Sequence, residues 1–293
     1  MAKFFTLEKD NCNLTVKNIH CLNLDYTLDC GQSFRWQKNS DGHWCALVSG
    51  YKNSERIDKY GELSQTVNSD GTVNITFYNA TADEFYKFWA PYFDLDRDYD
   101  KLIDCYRADK YLKAATDAYY GIRVTNQDAW ETLCSFIISQ NNNIPRIKGI
   151  INRLCETYGY QIHEGFYSFP SAEDLTKLTP EDLDPLRAGF RNKYIIDAAK
   201  KVASGEVDLA ALKKLPLSDA EAELMKISGV GPKVAQCVLL YGCGREDAFP
   251  IDTWVKKIME ELYPNGLPAC VEGTRGIAQQ YLFHWRRHID TIE

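Results

Sequence analysis

The feature that most constrains this chain is a change of hydrophobic period about a third of the way along it. Before residue 81, apolar side chains recur at every second position. Leu14 and Val16 alternate with polar neighbours, and Val73, Ile75 and Phe77 alternate with Asn74 and Thr76. Period two buries one face of a strand and leaves the other wet, the pattern of an antiparallel sheet covered on one side. Phe34 and Trp36 flank Arg35 in the same rhythm, while Asn39-Ser40-Asp41-Gly42 and Asn68-Ser69-Asp70-Gly71 carry hairpin-turn chemistry. From Thr81 onward the period is that of helices. Asp83 stands where a cap is expected for a helix carrying Phe85, Phe88 and Trp89, ended by Pro91. Asp128 opens another helix, with Trp130, Leu133, Cys134 and Ile137 along one side. After the polar break Ser139-Gln140-Asn141-Asn142-Asn143, helical spacing resumes at Ile144, Ile147, Ile151 and Leu154. Ser171 with Asp174, and Thr179 with Pro180, mark two further helix starts. The reading is α+β: an antiparallel sheet domain over residues 1–95, then a region that is nearly all helix.

Composition narrows the function classes. A net charge of −7 argues against a protein that holds nucleic acid by bulk electrostatics, although a local patch is still open to it. Basic residues cluster at His284, Arg286, Arg287 and His288, and acidic ones crowd 94–104 and 173–184. No apolar run reaches membrane-spanning length, and MAKFFTLEKD lacks the apolar core of a secretion signal. The 10 cysteines are scattered, with no C-x-x-C pair and no zinc spacing. They read as reduced, packed thiols of an intracellular protein, in the cytoplasm at the bacterial nucleoid, or in the nucleus of a eukaryote.

Within the helical region, Leu224 to Asp252 stands out. Ser228-Gly229-Val230-Gly231 separates two apolar segments too close together for anything but a sharp reversal. Glycines supply the positive φ of such a turn, and Pro232 suits the first turn of the helix after it. Ser218 with Glu221 forms a capping-box pattern for the entering helix. Val234, Cys237, Val238 and Tyr241 give the exit helix a buried stripe, and Lys233 lies one position off it. Taken alone, this is either a helical hairpin with a surface lysine or a helix-hairpin-helix gripping DNA backbone through exposed amides. Asp252 follows 19 residues after Lys233. A lysine and an aspartate beside a DNA-gripping turn suit covalent amine catalysis at a sugar carbon. An amine attacks only when neutral, and at the reference pKa of about 10.4 roughly one lysine in a thousand is neutral near pH 7. Such chemistry therefore asks for burial or a cationic field. Asp252 would stabilise an oxocarbenium-like sugar, or would simply cap a helix starting at Thr253.

GVGPKVAQC followed by FPIDTW resembles the helix-hairpin-helix and catalytic aspartate of the bifunctional 8-oxoguanine DNA glycosylase/AP lyases. CGQSFRW (30–36), FIISQNNNIPRI (136–147), AGFRNKY (188–194) and AQQYLF (278–283) resemble that family's other segments in the same order, so the likeness covers almost the whole chain. It implies a TBP-like antiparallel sheet domain followed by two mainly helical subdomains, 123–217 and 96–122 with 218–293, and an active site in the cleft between them. Lys233 would be the Schiff-base nucleophile and Asp252 its electrostatic partner. Gly31 would offer its carbonyl to the N7–H of the oxidised base, a donor that guanine lacks. Phe283 and Cys237 would sandwich the extruded base, and Gln279 would bond its Watson–Crick edge. The i, i+4 spacing of Lys233 with Cys237, and of Gln279 with Phe283, puts each pair on one helix face. Asn141, Arg146 and Arg191 would hold the orphaned cytosine, with Phe190 as wedge. The amides at Gly229 and Gly231 would hold the backbone.

The resemblance also implies a monovalent cation on the carbonyls of Met225, Ile227 and Val230. No cofactor is required for the chemistry, and there is no iron–sulfur cluster, because only Cys270 follows Cys243. The implied partner is duplex DNA containing 8-oxoguanine, bound by a monomer without a membrane. Two positions depart from the better-known eukaryotic members. Trp254 stands where they carry a histidine near a phosphate, and Phe190 where they carry a tyrosine wedge. The competing readings are a glycosylase of the same superfamily acting on alkylated purines or mismatched adenine, which Lys233 disfavours, and a non-catalytic DNA clamp.

Overall fold

The computed structural model describes residues 5–52 and 55–288; the first four residues of the segment read above for a secretion signal lie outside them. Six described strands form one antiparallel sheet. They are β1 (Thr6–Asp10), β2 (Asn13–Ile19), β3 (Gln37–Lys38), β4 (Trp44–Lys52), β5 (Glu55–Val67) and β6 (Val73–Phe77), in the order β1-β2-β6-β5-β4-β3. Register follows the period-two pattern: Leu14 faces Phe77, Val16 faces Ile75, and Leu63 faces Phe77 from the other side. All five are buried on one face. Both expected hairpin turns form, closed by Gly42 N–H to the Asn39 carbonyl at 3.1 Å and Gly71 N–H to the Asn68 carbonyl at 3.0 Å.

The Phe34–Trp36 stretch is not a strand; pairing starts only at Gln37. The segment crosses from the sheet to the helices and is held by side chains rather than a ladder. Arg35 Nη2 donates to the Tyr167 carbonyl at 2.6 Å, and the Trp36 indole donates to the Tyr92 hydroxyl at 2.8 Å. Thr81, not Asp83, caps the following helix, its hydroxyl accepting from Glu84 N–H at 3.2 Å. That helix runs through a π-turn at Phe85–Trp89, and Phe85, Phe88 and Trp89 cover the sheet's apolar face.

The rest is helical with one exception, a short hairpin of β7 (Gln161–His163) and β8 (Phe166–Tyr167), whose His163 ring stacks 3.8 Å from Tyr60. The long helices near the cleft are α1 (Ala129–Ser139), α2 (Ile144–Tyr158), α3 (Asn192–Ala203), α4 (Leu217–Met225), α5 (Pro232–Cys237), α6 (Thr253–Leu262) and α7 (Arg275–His288). Asp128 caps α1 through Glu131 N–H at 2.7 Å, and Ser171 accepts from Asp174 N–H at 3.0 Å as its spacing suggests. Thr179 opens a 3₁₀ turn, its amide donating to Asp182 at 2.7 Å. The Ser218 capping box does not form. Pro216 is the residue before α4, so Ser218 sits inside the helix and bonds Asp219, while Glu221 accepts from Gln236 and ties α4 to α5. Leu133, Ile137, Ile151, Ile195, Leu240 and Tyr281 belong to one helical core. The sheet docks on it through a buried ionic seam: Arg35 lies 3.6 Å from Glu131, and Arg56 donates to the Phe169 carbonyl at 2.9 Å.

Candidate active site

A cleft of about 1340 Å³ opens between the α1–α2 turn, the glycine hairpin, the start of α6 and the end of α7. The hairpin side is set by local sequence. Gly229 has φ +78°, and a Cβ there would meet the Tyr194 ring at 2.4 Å, so glycine is required twice over. Gly231 differs from expectation. Its φ is −102° with ψ −178°, extended backbone open to any residue, and nothing lies within 4 Å of a built Cβ. The hairpin is pinned to α3 by Ser228 N–H donating to Asp197 at 2.7 Å. Among the expected cation ligands, the Ile227 carbonyl accepts Val230 N–H at 3.0 Å, and the ammonium of Lys201 donates to the neighbouring Lys226 carbonyl. The donors are all carbonyl oxygens, the class a hard cation takes.

Lys233 stands in the first turn of α5, half-buried, with its ammonium 5.0 Å from the Phe136 ring centroid. Cys237, one turn on, feels three influences: burial pushes its thiol up to about 11, the Lys233 ammonium pulls it down, and Asp252 pushes it up. Lys233 and Asp252 line the same cleft, with Cys237 buried one turn behind Lys233. Asp252 also caps α6, with Oδ1 accepting from Trp254 N–H at 2.9 Å and Val255 N–H at 2.8 Å. The capping reading and the catalytic reading thus concern the same carboxylate, and the cap holds it at the cleft.

The base-pocket candidates fall into two groups. Gly31 (φ +81°) and Phe283 line the cleft side by side, a Cβ on Gly31 being 3.9 Å from the Phe283 ring edge. The carbonyls on either side of Gly31 are taken: Cys30 accepts from Gln280 at 3.1 Å and Gln32 from Gln127 at 2.8 Å. No donor among the described residues takes the Gly31 carbonyl itself. Gln279 and Cys237 lie behind the wall, 5% and 3% exposed, and Gln279 Oε1 is buried without a partner among the described residues.

Three residues that sequence reasoning missed hold this arrangement. Gln32 bonds the Thr27 and Arg123 carbonyls, both at 2.8 Å, and Thr125 N–H at 2.9 Å, locking the Gly31 turn. Gln280 accepts the Tyr241 hydroxyl at 2.5 Å. Phe136 lies under Lys233. A buried glutamine beside a glycine is a readable signal; the others need coordinates.

The opposite wall begins at Asn141, which lies in the left-handed region (φ +46°) just past α1 and lines the cleft. Arg191 is 3% exposed, and its guanidinium is committed to backbone: Nε and Nη2 to the Gln140 carbonyl, Nη2 to Asn141 at 3.1 Å, and Nη1 to Ala188 at 3.0 Å. It stacks 4.4 Å from the Phe190 centroid. Phe190 is 51% exposed, edge-on to Tyr194 at 5.9 Å. Arg146 is exposed and reaches the Arg187 carbonyl at 3.4 Å. Arg146, Phe190 and Arg191 stand beside the cleft rather than lining it. Within it, Lys148, Lys233, Lys256 and Arg287 outnumber Asp29 and Asp252, so the acidity of the chain is not that of the cleft. Among the described residues no helix is long and apolar enough to cross a membrane, and no cluster of His, Cys, Asp or Glu is arranged to hold a metal.

Two family descriptions match successive parts of the chain: 8-oxoguanine DNA glycosylase, N-terminal domain, over residues 13–133, and HhH-GPD superfamily base excision DNA repair protein, over 134–267. An N-glycosylase/DNA lyase of Saccharomyces cerevisiae is 32% identical over 257 residues, 80% of this chain and 67% of that protein. A solved structure of MBOgg1 with a low-affinity DNA ligand is 38% identical with TM-score 0.85, covering 98% of this chain and 99% of that one. The 8-oxoguanine glycosylase/lyase of Clostridium acetobutylicum, in complex with double-stranded DNA containing cytosine opposite 8-oxoG, is 34% identical with TM-score 0.86 and the same coverage.

Proposed function

The chain belongs to the 8-oxoguanine DNA glycosylase/lyase family, and on that footing we propose that it excises 8-oxoguanine opposite cytosine and then nicks the strand by β-elimination. The observation that carries the reading is that Lys233 and Asp252 both line the one cleft, each at a helix start. The Lys233 amine attacks C1′ of the extruded nucleotide, and the glycosidic bond breaks as the base leaves with its electron pair. Asp252 faces the positive charge that develops on the sugar. Ring opening then gives the imine between Lys233 and C1′. Loss of the C2′ proton breaks the C3′–O bond, the 3′ phosphate departs, and water releases the lysine.

Base selection rests on the Gly31 carbonyl, which lacks a described donor. It accepts the N7–H of 8-oxoguanine, whereas guanine would set acceptor against acceptor. One such buried bond is worth about 1–3 kcal/mol, roughly tenfold to a hundredfold. Phe283 stacks the base and Gln279 Oε1, buried without a partner among the described residues, meets its polar edge. Phe190 enters the vacated stack, and Asn141 and Arg146 meet the cytosine. A monovalent cation on the hairpin carbonyls belongs to the same reading, as does a monomer acting wherever the chromosome lies.

Borohydride trapping on an 8-oxoguanine duplex tests this directly. The expected result is a covalent adduct that Lys233→Gln abolishes, with excision falling about a thousandfold or more. Folded wild-type protein that excises but yields no adduct would remove the lysine mechanism. Asp252→Asn is expected to slow single-turnover excision roughly a hundredfold while DNA binding changes less than about threefold. Equal loss of both would leave Asp252 only its capping role.

A further inference from the structure

Arg146, Arg191, Arg286 and Arg287 are the arginines expected to give DNA a positive face, and of these Arg287 lines the cleft. Arg191 spends its guanidinium on three backbone carbonyls, and Arg286 pairs with Glu261 at 2.9 Å. Arg146 stands outside the cleft wall. Arg287 is the guanidinium that lines it, at the end of α7 one turn beyond Phe283, and it lies 5.2 Å from that ring's centroid. No carboxylate among the described residues lies within ion-pair distance of it. Of the cleft ammonium groups, Lys233 lies over the Phe136 ring and belongs to the chemistry proposed above, and the other two have partners. Lys148 donates to the Trp36 carbonyl at 3.0 Å with Asp29 at 3.7 Å, and Lys256 has Glu260 at 3.7 Å. The start of α6 cannot take this part, because Asp252 already accepts the amides of Trp254 and Val255.

In a chain of net charge −7, a half-buried arginine that lines the cleft with no carboxylate paired to it among the described residues suits an anion from outside. We propose that Arg287 binds a phosphate of the damaged strand beside the extruded nucleotide, holding that nucleotide while its base stacks on Phe283. The stacking half rests on the reading of Phe283 given above; the phosphate half does not. A guanidinium suits the task because its planar fork can give two parallel hydrogen bonds to one phosphate. Its stem meanwhile stays against the ring.

The test compares wild type with Arg287→Gln, Arg287→Met and Arg287→Lys on two cytosine-opposed duplexes. One carries a tetrahydrofuran abasic analogue, which has phosphates but no base and is not cleaved. The other carries 8-oxoguanine, read as the half-saturating protein concentration in single-turnover excision. The expected result is an affinity loss of about tenfold on both duplexes in the Gln and Met variants, with partial retention in Lys. The slope of log K against log salt should become shallower by about 0.9, one phosphate's worth. An unchanged salt slope overturns the proposal. So does a loss confined to the base-containing duplex, which would mean that Arg287 acts only through the Phe283 ring. Thermal unfolding of each variant checks the fold, and the Met variant preserves the packing stem should Gln disturb it. The borohydride adduct should persist in every Arg287 variant at saturating protein. Its absence from wild type would count against the lysine mechanism and leave the phosphate result standing.

Discussion

The two walls of the cleft are built in opposite ways. On the hairpin side, Lys233 stands in the first turn of α5 and Asp252 caps α6. Each is placed by a helix start that its own neighbours specify, Pro232 after Gly231 in one case and Thr253 after the aspartate in the other. On the Asn141 side, the placing group is Arg191, 50 residues further along, which binds the carbonyls of Gln140, Asn141 and Ala188. In the proposed function the chemistry sits on locally capped helix starts, and strand recognition on a turn that Arg191 ties down from a distance beside the turn's own Asn142 and Asn143 bonds. The first wall meets α3 through Ser228 and Asp197, but its two helix starts are closed by their own neighbours; the second depends on Arg191.

The sharpest way to probe the first wall lies inside the hairpin. Gly229→Ala combines positive φ with a clash against Tyr194, and about 2–4 kcal/mol of stability should be lost in denaturant titration. Gly231→Ala, two residues on, meets neither obstacle and should cost less than about 1 kcal/mol while still weakening DNA binding if backbone approaches there. Equal destabilisation by both would mean that the hairpin's shape depends on more than one glycine.

On the second wall, Arg191→Met should cost roughly 1–3 kcal/mol, because the buried Ala188 carbonyl and the partly buried Gln140 and Asn141 carbonyls lose their donor. It should also loosen the Asn141 turn, seen as faster amide exchange from Gln140 to Asn143. Phe190→Ala, at an exposed tip, should leave stability within about 0.5 kcal/mol yet slow excision. If Arg191→Met instead left the turn protected, the second wall would be locally encoded after all.

The effect of pH is confined to acid conditions and is absent at neutrality. Burial holds His284 down to about 4, helped by the positive charges of His288 and Arg287, while Tyr26 and Tyr119 also pack against its ring. Unfolded, it titrates near its ordinary value of about 6.5. Between those values the unfolded chain binds more protons, so stability is unaffected above about pH 6.5 and falls as pH drops toward 4. His284→Gln should flatten that part of the stability profile; an unchanged slope would place the proton uptake elsewhere.

Much of this molecule was legible in the amino-acid order. The sheet followed from Leu14, Val16, Val73, Ile75 and Phe77, because burial of one face imposes period two on any strand so placed. The hairpin turns at Gly42 and Gly71 and the cap at Asp128 followed from short-range hydrogen bonding. Errors arose where a local signal had a competitor nearby. Thr81 displaced Asp83 as cap, and α4 began a residue before Ser218, since several polar side chains can close one helix end and the packing of the helix chooses among them. The Phe34–Trp36 stretch alternated like a strand but was drawn out of the sheet by Arg35 and Trp36 bonding to distant partners.

What the order of residues determined by itself was the placement of Lys233 and Asp252 at helix starts and the positive φ at Gly229, since each depends on backbone geometry within a few residues. Tertiary structure alone decided that the Gly31 carbonyl is left between two that are taken, that Gln280 rather than Gln279 is tied up, and that Arg191 faces inward while Arg287 faces the cleft. Those outcomes turn on which of several equivalent donors reaches a given acceptor. That competition is settled across 50 to 250 residues of chain, beyond the reach of local sequence.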